Sequence, residues 1–290
     1  MSVPTKVHPP QVPTHIIARA IKRAFEEDLG QAGDITSQAT IGPKATAAAR
    51  INSRQAGILS GLECALAAFD MIGPGLEVKS FVADGDALYP GTAVLEVSGN
   101  ARLILAAERT ALNFMTHLTG IATLTRTFVD HIEGSGAKIC CTRKTTPGLR
   151  ALEKYAVRCG GGHNHRFGLD DAILIKDNHI AVAGGVAQAI GAARAFAGHL
   201  IAIEVEVDTL AQFEQALEAG ANAVLLDNMD ADTLARAVAI NAGRAKLEAS
   251  GNVTLETVAQ IARTGVDYIS TSKITAAAPP LDLGLDIAIT

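Results

Sequence analysis

Residues 200–272, LIAIEVEVDTLAQFEQALEAGANAVLLDNMDADTLARAVAINAGRAKLEASGNVTLETVAQIARTGVDYISTS, carry the rhythm that decides the fold. Short apolar runs (LIAIEV, NAVLL, AKLEA, VDYI) alternate with helical patterns over residues 210–219, 232–241 and 255–264. Each run ends on a hydrogen-bonding or charged side chain: Glu206, Asp227, Ser250 and Ser270. The same rhythm extends upstream, where KICCT leads to Arg143, AILI leads to Lys176, and a helix is expected over residues 186–197. Such alternation implies a parallel sheet with helices outside. Six strands predict a barrel or an open barrel rather than a flat sheet, with the active site at the carboxyl ends of the strands.

The chain before this region reads differently. Residues 1–13 form an extended arm, and an amphipathic helix over residues 15–28 puts Ile16, Ile17, Ala20, Ile21, Ala24 and Phe25 on one face. Gly30 and Gly33 break it. Residues 45–97 read as short strands with turns at Asp84-Gly85 and Pro90-Gly91, around a short helix in GLECALAAFDMIG. A long helical pattern covers residues 101–131, with a break expected near Thr119-Gly120.

Composition narrows the function classes. Hydrophobic residues are 48% and charged residues 19%, so the chain of 290 residues buries a proper core. With no tryptophan and 4% aromatics, aliphatic side chains carry the packing. A net charge of −5 and no interleaving of aromatic with basic residues argue against a nucleic-acid binder. No apolar run is long enough to span a membrane, and MSVPTKVHPPQVPTH has no apolar core of the signal-peptide kind. Cys64, Cys140, Cys141 and Cys159 form no C-x-x-C pair, so free thiols in a reducing compartment, the cytoplasm, are expected.

Against this acidic background, residues 141–179, CTRKTTPGLRALEKYAVRCGGGHNHRFGLDDAILIKDNH, reverse the local sign. Arg143, Lys144, Arg150, Lys154, Arg158, Arg166 and Lys176 surround a triple glycine and the histidines His163 and His165. A solvated basic face is the plainer reading. The interleaved Gly, Thr, Asn and His favour a pocket for a multiply anionic small molecule, because arginine forks bind carboxylate or phosphate in bidentate fashion. Glu206 and Asp227 suit Mg²⁺ or sugar hydroxyls, unless one of them only neutralises Lys176 or Arg143. Glu204 points to the same face as Glu206 and competes for that role. Ser250-Gly251-Asn252 reads as a phosphate cradle before a helix, with Ser270-Thr271-Ser272 as its other half, although Thr254 or Asn252 also serves as an ordinary helix cap. A zinc site at His163 and His165 is disfavoured by Arg166 beside them. A Schiff base on Lys176 lacks a desolvating environment.

The stretches EDLGQAGDITS, DGDALYPGTAVLEVSGNARLILAAERTALNFM, TRKTTPG, GGGHNHR, KDNH, EVEVDTLAQFEQALEAGANAVLLDNM and EASGNVTLETV resemble the quinolinate phosphoribosyltransferase family, a type II phosphoribosyltransferase group of NAD biosynthesis. The resemblance implies an N-terminal α/β sandwich domain (residues 1–118), an incomplete parallel α/β barrel (residues 119–273), and a C-terminal segment (residues 274–290) returning to the first domain. It implies transfer of phosphoribosyl from phosphoribosyl pyrophosphate to quinolinate with decarboxylation, Mg²⁺ as cofactor, and a homodimer or higher assembly. By matched position, Arg143, His165, Arg166 and Lys176 hold quinolinate, with Arg109 reaching in from the partner subunit. Lys144, Glu206, Asp227, Ser250, Gly251, Asn252 and Ser270 receive phosphoribosyl pyrophosphate, with Mg²⁺ near Glu206 and Asp227. Two positions depart from the pattern: His163 stands where a small residue is expected, and Ser272 where glycine is expected. A phosphoribosyltransferase-like family linked to molybdate transport shares parts of the pattern. A metal-dependent barrel hydrolase using His163 and His165 is a further alternative. DGDALYPGTAVLEV also resembles a biotinyl or lipoyl carrier turn, but lacks the modifiable lysine.

Overall fold

A computed structural model describes residues 11–289; the first ten residues of the expected arm lie outside the described residues. The chain opens with helices α1 (Thr14–Leu29) and α2 (Ile35–Thr40), then β1 (Thr46–Ser53), β2 (Gly57–Ile58), α3 (Leu62–Met71), β3 (Glu77–Ser80), β4 (Ala87–Leu88) and β5 (Ala93–Asn100). Helix α4 (Ala101–His131) leads to β6 (Lys138–Cys140), α5 (Arg150–Cys159), β7 (Ile173–Ile175), α6 (Asp177–Ala183) and α7 (Val186–Phe196). The β/α rhythm follows as β8 (Ile203–Val207), α8 (Leu210–Glu218), β9 (Ala223–Asp227), α9 (Ala231–Asn241), β10 (Lys246–Ser250), α10 (Leu255–Ala262), β11 (Tyr268–Ser270) and α11 (Lys273–Ala276). The chain ends on β12 (Leu283–Ile289).

Two compact units result. The first comprises the described residues up to Arg126, Thr146–Gly161 and those from Ala277 onward. Its main sheet has the order β12-β1-β5-β3, and β1 runs antiparallel to both of its neighbours. Alternate residues of β1 (Ala47, Ala49, Ile51, Ser53) are buried, the period-2 signature of a strand with one face on a core. Helix α1 presents Ile17 and Ile21, one turn apart, to the interior.

The expected break near Thr119-Gly120 does not occur, and α4 runs unbroken for 31 residues. Gly120 serves close packing instead: an added Cβ would lie 3.0 Å from the carbonyl carbon of Pro279. Thr119 anchors the same region, its hydroxyl donating to the Ser60 carbonyl at 3.0 Å and accepting the Ser60 amide at 3.2 Å.

The second unit comprises Thr127–Thr145 and Gly162–Ala276. Its six parallel strands have the order β6-β11-β10-β9-β8-β7. Strands β6 and β7 lie at opposite ends of that order and are not paired with each other, so the barrel stays open. The outer side of β6 is instead lined by His163, whose amide donates to Ile139 at 2.8 Å and whose carbonyl accepts from Cys141 at 3.0 Å.

By contacts, the chain first crosses between the units after Arg126, and α5 belongs to the first unit. Partners within that unit hold α5. Glu153 accepts from His117 Nε2 at 2.9 Å and from the Thr146 amide, and Ser60 Oγ lies 3.6 Å from Cys159 Sγ. The C-terminal segment also returns to the first unit, where β12 pairs with β1 from Leu283↔Ser53 to Ile289↔Ala47.

Candidate active site

Parallel register sets the site geometry. Ile175 of β7 lies beside Val205 of β8, so the next residues, Lys176 and Glu206, stand side by side and form an ion pair. On β9, Asp227 accepts a hydrogen bond from the side chain of Asn228 at 2.6 Å. Glu206 and Asp227 thus offer oxygen donors at the ends of neighbouring strands, the ligand type that Mg²⁺ takes. The alternative in which an acid neutralises Lys176 is realised by Glu206.

Glu204, two residues earlier on the same face of β8, points to a different partner. Its Oε2 lies 2.8 Å from His165 Nε2, and Glu248 Oε1 lies 3.9 Å from the same nitrogen. Among the described residues, His165, Glu204 and Glu248 bring their polar atoms within 4.8 Å of one another. Glu248 was not among the sequence candidates. Its signal was an acid inside the apolar run AKLEA, two positions before Ser250 and therefore on the same strand face. Burial, then the charge of Glu204, pushes the Glu248 carboxyl up to about 7, with a hydrogen bond from Ser270 opposing.

Arg166 follows His165 directly. Its Nη1 donates to the Ala172 carbonyl at 3.1 Å, while its buried Nε makes no hydrogen bond among the described residues. Burial and the neighbouring charge of Arg143 lower its pKa, with Asp171 and Glu204 opposing. The charge of Arg143 is thus felt at Arg166, and like charges within reach of each other favour an anion near both. The turn beyond is fixed by Asp171, whose carboxylate accepts the amides of Phe167 at 2.6 Å and Gly168 at 2.8 Å. A cavity of about 290 Å³ is lined by His165, Arg166, Glu204 and Glu248 and reaches Ala223 and Lys246 at the amino ends of β9 and β10; Arg143, Lys176, Glu206 and Asp227 do not line it. A larger cleft of about 490 Å³ lies around Arg194, Leu200 and Asn222, towards the amino ends of β8 and β9, away from the strand-end cations.

The expected phosphate cradle is a strained turn. Gly251 has φ +91°, and Asn252 and Asn228 occupy left-handed backbone at +52° and +53°. Asn228 donates its amide to the Ser250 carbonyl at 2.9 Å and accepts from Asn252 Nδ2 at 3.2 Å, which ties the ends of β9 and β10 together. Thr254 caps α10, accepting the Thr257 amide at 3.3 Å, so the helix-cap reading of this segment is also realised. Ser270 is buried at the end of β11, and the Thr271 amide donates to the Cys140 carbonyl at 3.0 Å. Lys144 is exposed, and its carbonyl accepts from Thr275 Oγ1 at 2.8 Å.

The structure does not gather the whole cationic run of residues 141–179 into one unit. Arg143, Lys144, Arg166 and Lys176 belong to the barrel unit, whereas Arg150, Lys154 and Arg158 ride on α5 in the first unit, with Lys154 buried. Arg109 is exposed on α4, also in the first unit. His163 packs its ring edge-on to Tyr268, with centroids 6.4 Å apart.

An open parallel α/β barrel with cations and carboxylates at its strand ends defines a class of enzyme acting on small anions, and sequence comparison places the chain within that class. The family descriptions "Quinolinate phosphoribosyl transferase, N-terminal domain" and "C-terminal domain" match residues 34–119 and 121–286. The nicotinate-nucleotide pyrophosphorylase [carboxylating] of Mycobacterium leprae is 45% identical over 92% of this chain and 95% of its own length. A probable enzyme of the same name from Bacillus subtilis is 41% identical over 94% of each chain. The solved nicotinate-nucleotide pyrophosphorylase of Francisella tularensis superposes with a TM-score of 0.93 at 38% identity, covering 98% of this chain and all of the other. The chain belongs to the quinolinate phosphoribosyl transferase family.

Proposed function

We propose that this protein is a pentosyltransferase that converts quinolinate and phosphoribosyl pyrophosphate to nicotinate mononucleotide, pyrophosphate and CO₂. The observation that carries the reading is the pairing of Lys176 with Glu206 at adjacent strand ends of the barrel unit that also contains Arg143 and Arg166. Quinolinate is a pyridine with two neighbouring carboxylates, and a pair of guanidinium groups with a lysine supplies the donors to hold both. His165 lines one cavity with Arg166.

The pyridine nitrogen forms a bond to C1 of the ribose while the C1–O bond to pyrophosphate breaks, its electron pair leaving with pyrophosphate. Lys144, exposed after β6, faces the negative charge that grows on the departing group. Glu206 and Asp227 hold ribose hydroxyls or the Mg²⁺ that accompanies phosphoribosyl pyrophosphate. When bound, Mg²⁺ supplies positive charge to the leaving group. Ser250, Gly251, Asn252 and Ser270 receive the 5′-phosphate through backbone amides and hydroxyls. With the ring nitrogen quaternary, the bond to the adjacent carboxylate breaks, CO₂ leaves, and the electron pair stays on the ring carbon until a proton arrives from solvent. The chain's task is to hold two anions side by side, and the cationic cluster offsets their repulsion.

The assembly that suits this reading is a homodimer in which Arg109 of one subunit serves the site of its partner. A cytoplasmic address accords with four buried free thiols. The test is quinolinate consumption with CO₂ release in the presence of Mg²⁺ and phosphoribosyl pyrophosphate, with nicotinate as competing substrate. Turnover of quinolinate that collapses at least about a hundredfold in Arg166→Ala supports the reading. A well-folded wild type inert towards quinolinate rejects it.

A further inference from the structure

His165 is gripped from two sides in a way that determines where its proton sits. The Arg166 amide donates to its Nδ1 at 2.8 Å, so that nitrogen presents a lone pair and carries no hydrogen. The other nitrogen, Nε2, lies 2.8 Å from Glu204 Oε2, a carboxylate that accepts. The two contacts are compatible with one state only: a neutral imidazole with its proton on Nε2, donated to Glu204.

The same geometry speaks against a metal ion among His165, Glu204 and Glu248, although their donor atoms are close enough to surround one. A metal on Nε2 would displace that proton. A metal-bound histidine then keeps its remaining hydrogen on Nδ1 and donates it outward, whereas here Nδ1 receives a hydrogen.

We infer that Glu204 is a positioning residue: by accepting the Nε2 proton of His165 it fixes the ring so that Nδ1 receives the Arg166 amide, and thereby sets the backbone from which the Arg166 guanidinium projects. The chain Glu204–His165–Arg166 links β8 to the loop after the triple glycine, a segment also held by the His163 backbone bonds along β6, the Asp171 turn and the Arg166 contact with Ala172. Glu248 approaches the same nitrogen from 3.9 Å, outside hydrogen-bond reach, and does not substitute for Glu204. This inference rests on the proposal that Arg166 holds a carboxylate of quinolinate.

The test is long-range ¹H–¹⁵N correlation of the imidazole rings in the full-length protein at pH 7.5, with the His165 signals assigned by their loss in His165→Asn. The wild type is expected to show the neutral ring protonated on Nε2. Glu204→Gln, whose side-chain carbonyl still accepts, and Glu248→Gln should keep that state, while Glu204→Ala should lose it. In steady-state kinetics, Glu204→Ala is expected to raise the quinolinate KM about tenfold with little change in kcat or in the KM for phosphoribosyl pyrophosphate, and Glu204→Gln to restore it. An imidazolium or an Nδ1-protonated ring in the wild type overturns the inference. So does release of the ring by Glu248→Gln but not by Glu204→Ala, or an equal fall in all kinetic parameters. If the wild type does not use quinolinate, the substrate reading fails, while the ring spectrum still decides the Glu204–His165 contact by itself.

Discussion

Lys176 and Glu206 form an ion pair across two neighbouring parallel strands, each projecting from the carboxyl end of its strand into the face where the substrates are proposed to meet. The lysine side chain is 44% exposed, so water screens the pair and its contribution to folding is small. Its value is to hold a carboxylate and an ammonium at fixed positions for two differently charged substrates. Glu206→Ala is expected to lower kcat/KM for phosphoribosyl pyrophosphate about a hundredfold while moving the thermal midpoint by under about 2 °C. Thermal melts beside initial rates separate the two effects, and a large fall in the midpoint would show that the pair is structural.

Glu248 makes stability depend on pH. In the unfolded chain its carboxyl titrates near the ordinary value of 4.5, whereas in the folded protein it keeps its proton up to about 7. Between those values the folded state binds the proton more tightly, so the contribution of Glu248 to stability falls as pH rises through that window and stays low above it. Glu248→Gln removes the dependence. It is expected to be more resistant to urea than the wild type at pH 8 and about equal to it at pH 4. Identical pH dependence in the two proteins would place the titration elsewhere.

Much of this was legible in the sequence because alternation of apolar and polar residues is a direct record of burial. The six barrel strands, their polar ends and the helices between them follow from that record. Helix α6 did not, because DNHIAVA after Lys176 is too short to show a helical period. Gly120 misled because a helical glycine reads as a break, when a chain crossing distant in sequence demanded it. The run of cations was contiguous in sequence, yet α5 was claimed by partners such as His117, which no local pattern announces. Glu206 and Glu204 were equivalent by strand periodicity, and only their partners, Lys176 beside β8 and His165 in the loop after the triple glycine, separate them.

Gly251 is expected to be intolerant of any side chain. At φ +91° a Cβ is strained, and it would also stand 2.9 Å from the Asn228 amide nitrogen. Gly251→Ala should therefore raise the KM for phosphoribosyl pyrophosphate about tenfold or more, leave the quinolinate KM nearly unchanged, and cost about 1–3 kcal/mol in stability. Isothermal titration with each substrate separately checks the asymmetry. Equal weakening of both would deny the turn a phosphate-specific role.

Sharing of sites between subunits has its own signature. Arg109→Ala and Arg166→Ala are each expected to be inactive alone. If Arg109 serves the neighbouring site, mixing the two variants under conditions of subunit exchange should restore up to about a quarter of the wild-type rate, because each mixed dimer regains one intact site. No recovery despite demonstrated exchange would confine Arg109 to its own subunit.

The path of the chain between the two units carries a last consequence. It passes from one to the other after Arg126, after Thr145, after Gly161 and after Ala276. No single cut of the polypeptide therefore releases a whole unit: a fragment ending in α4 lacks both α5 and the strand β12 that pairs with β1. The two halves cannot be inherited, exchanged or fused to other proteins as independent cassettes, and synthesis must reach the final strand before the amino-terminal sheet is complete.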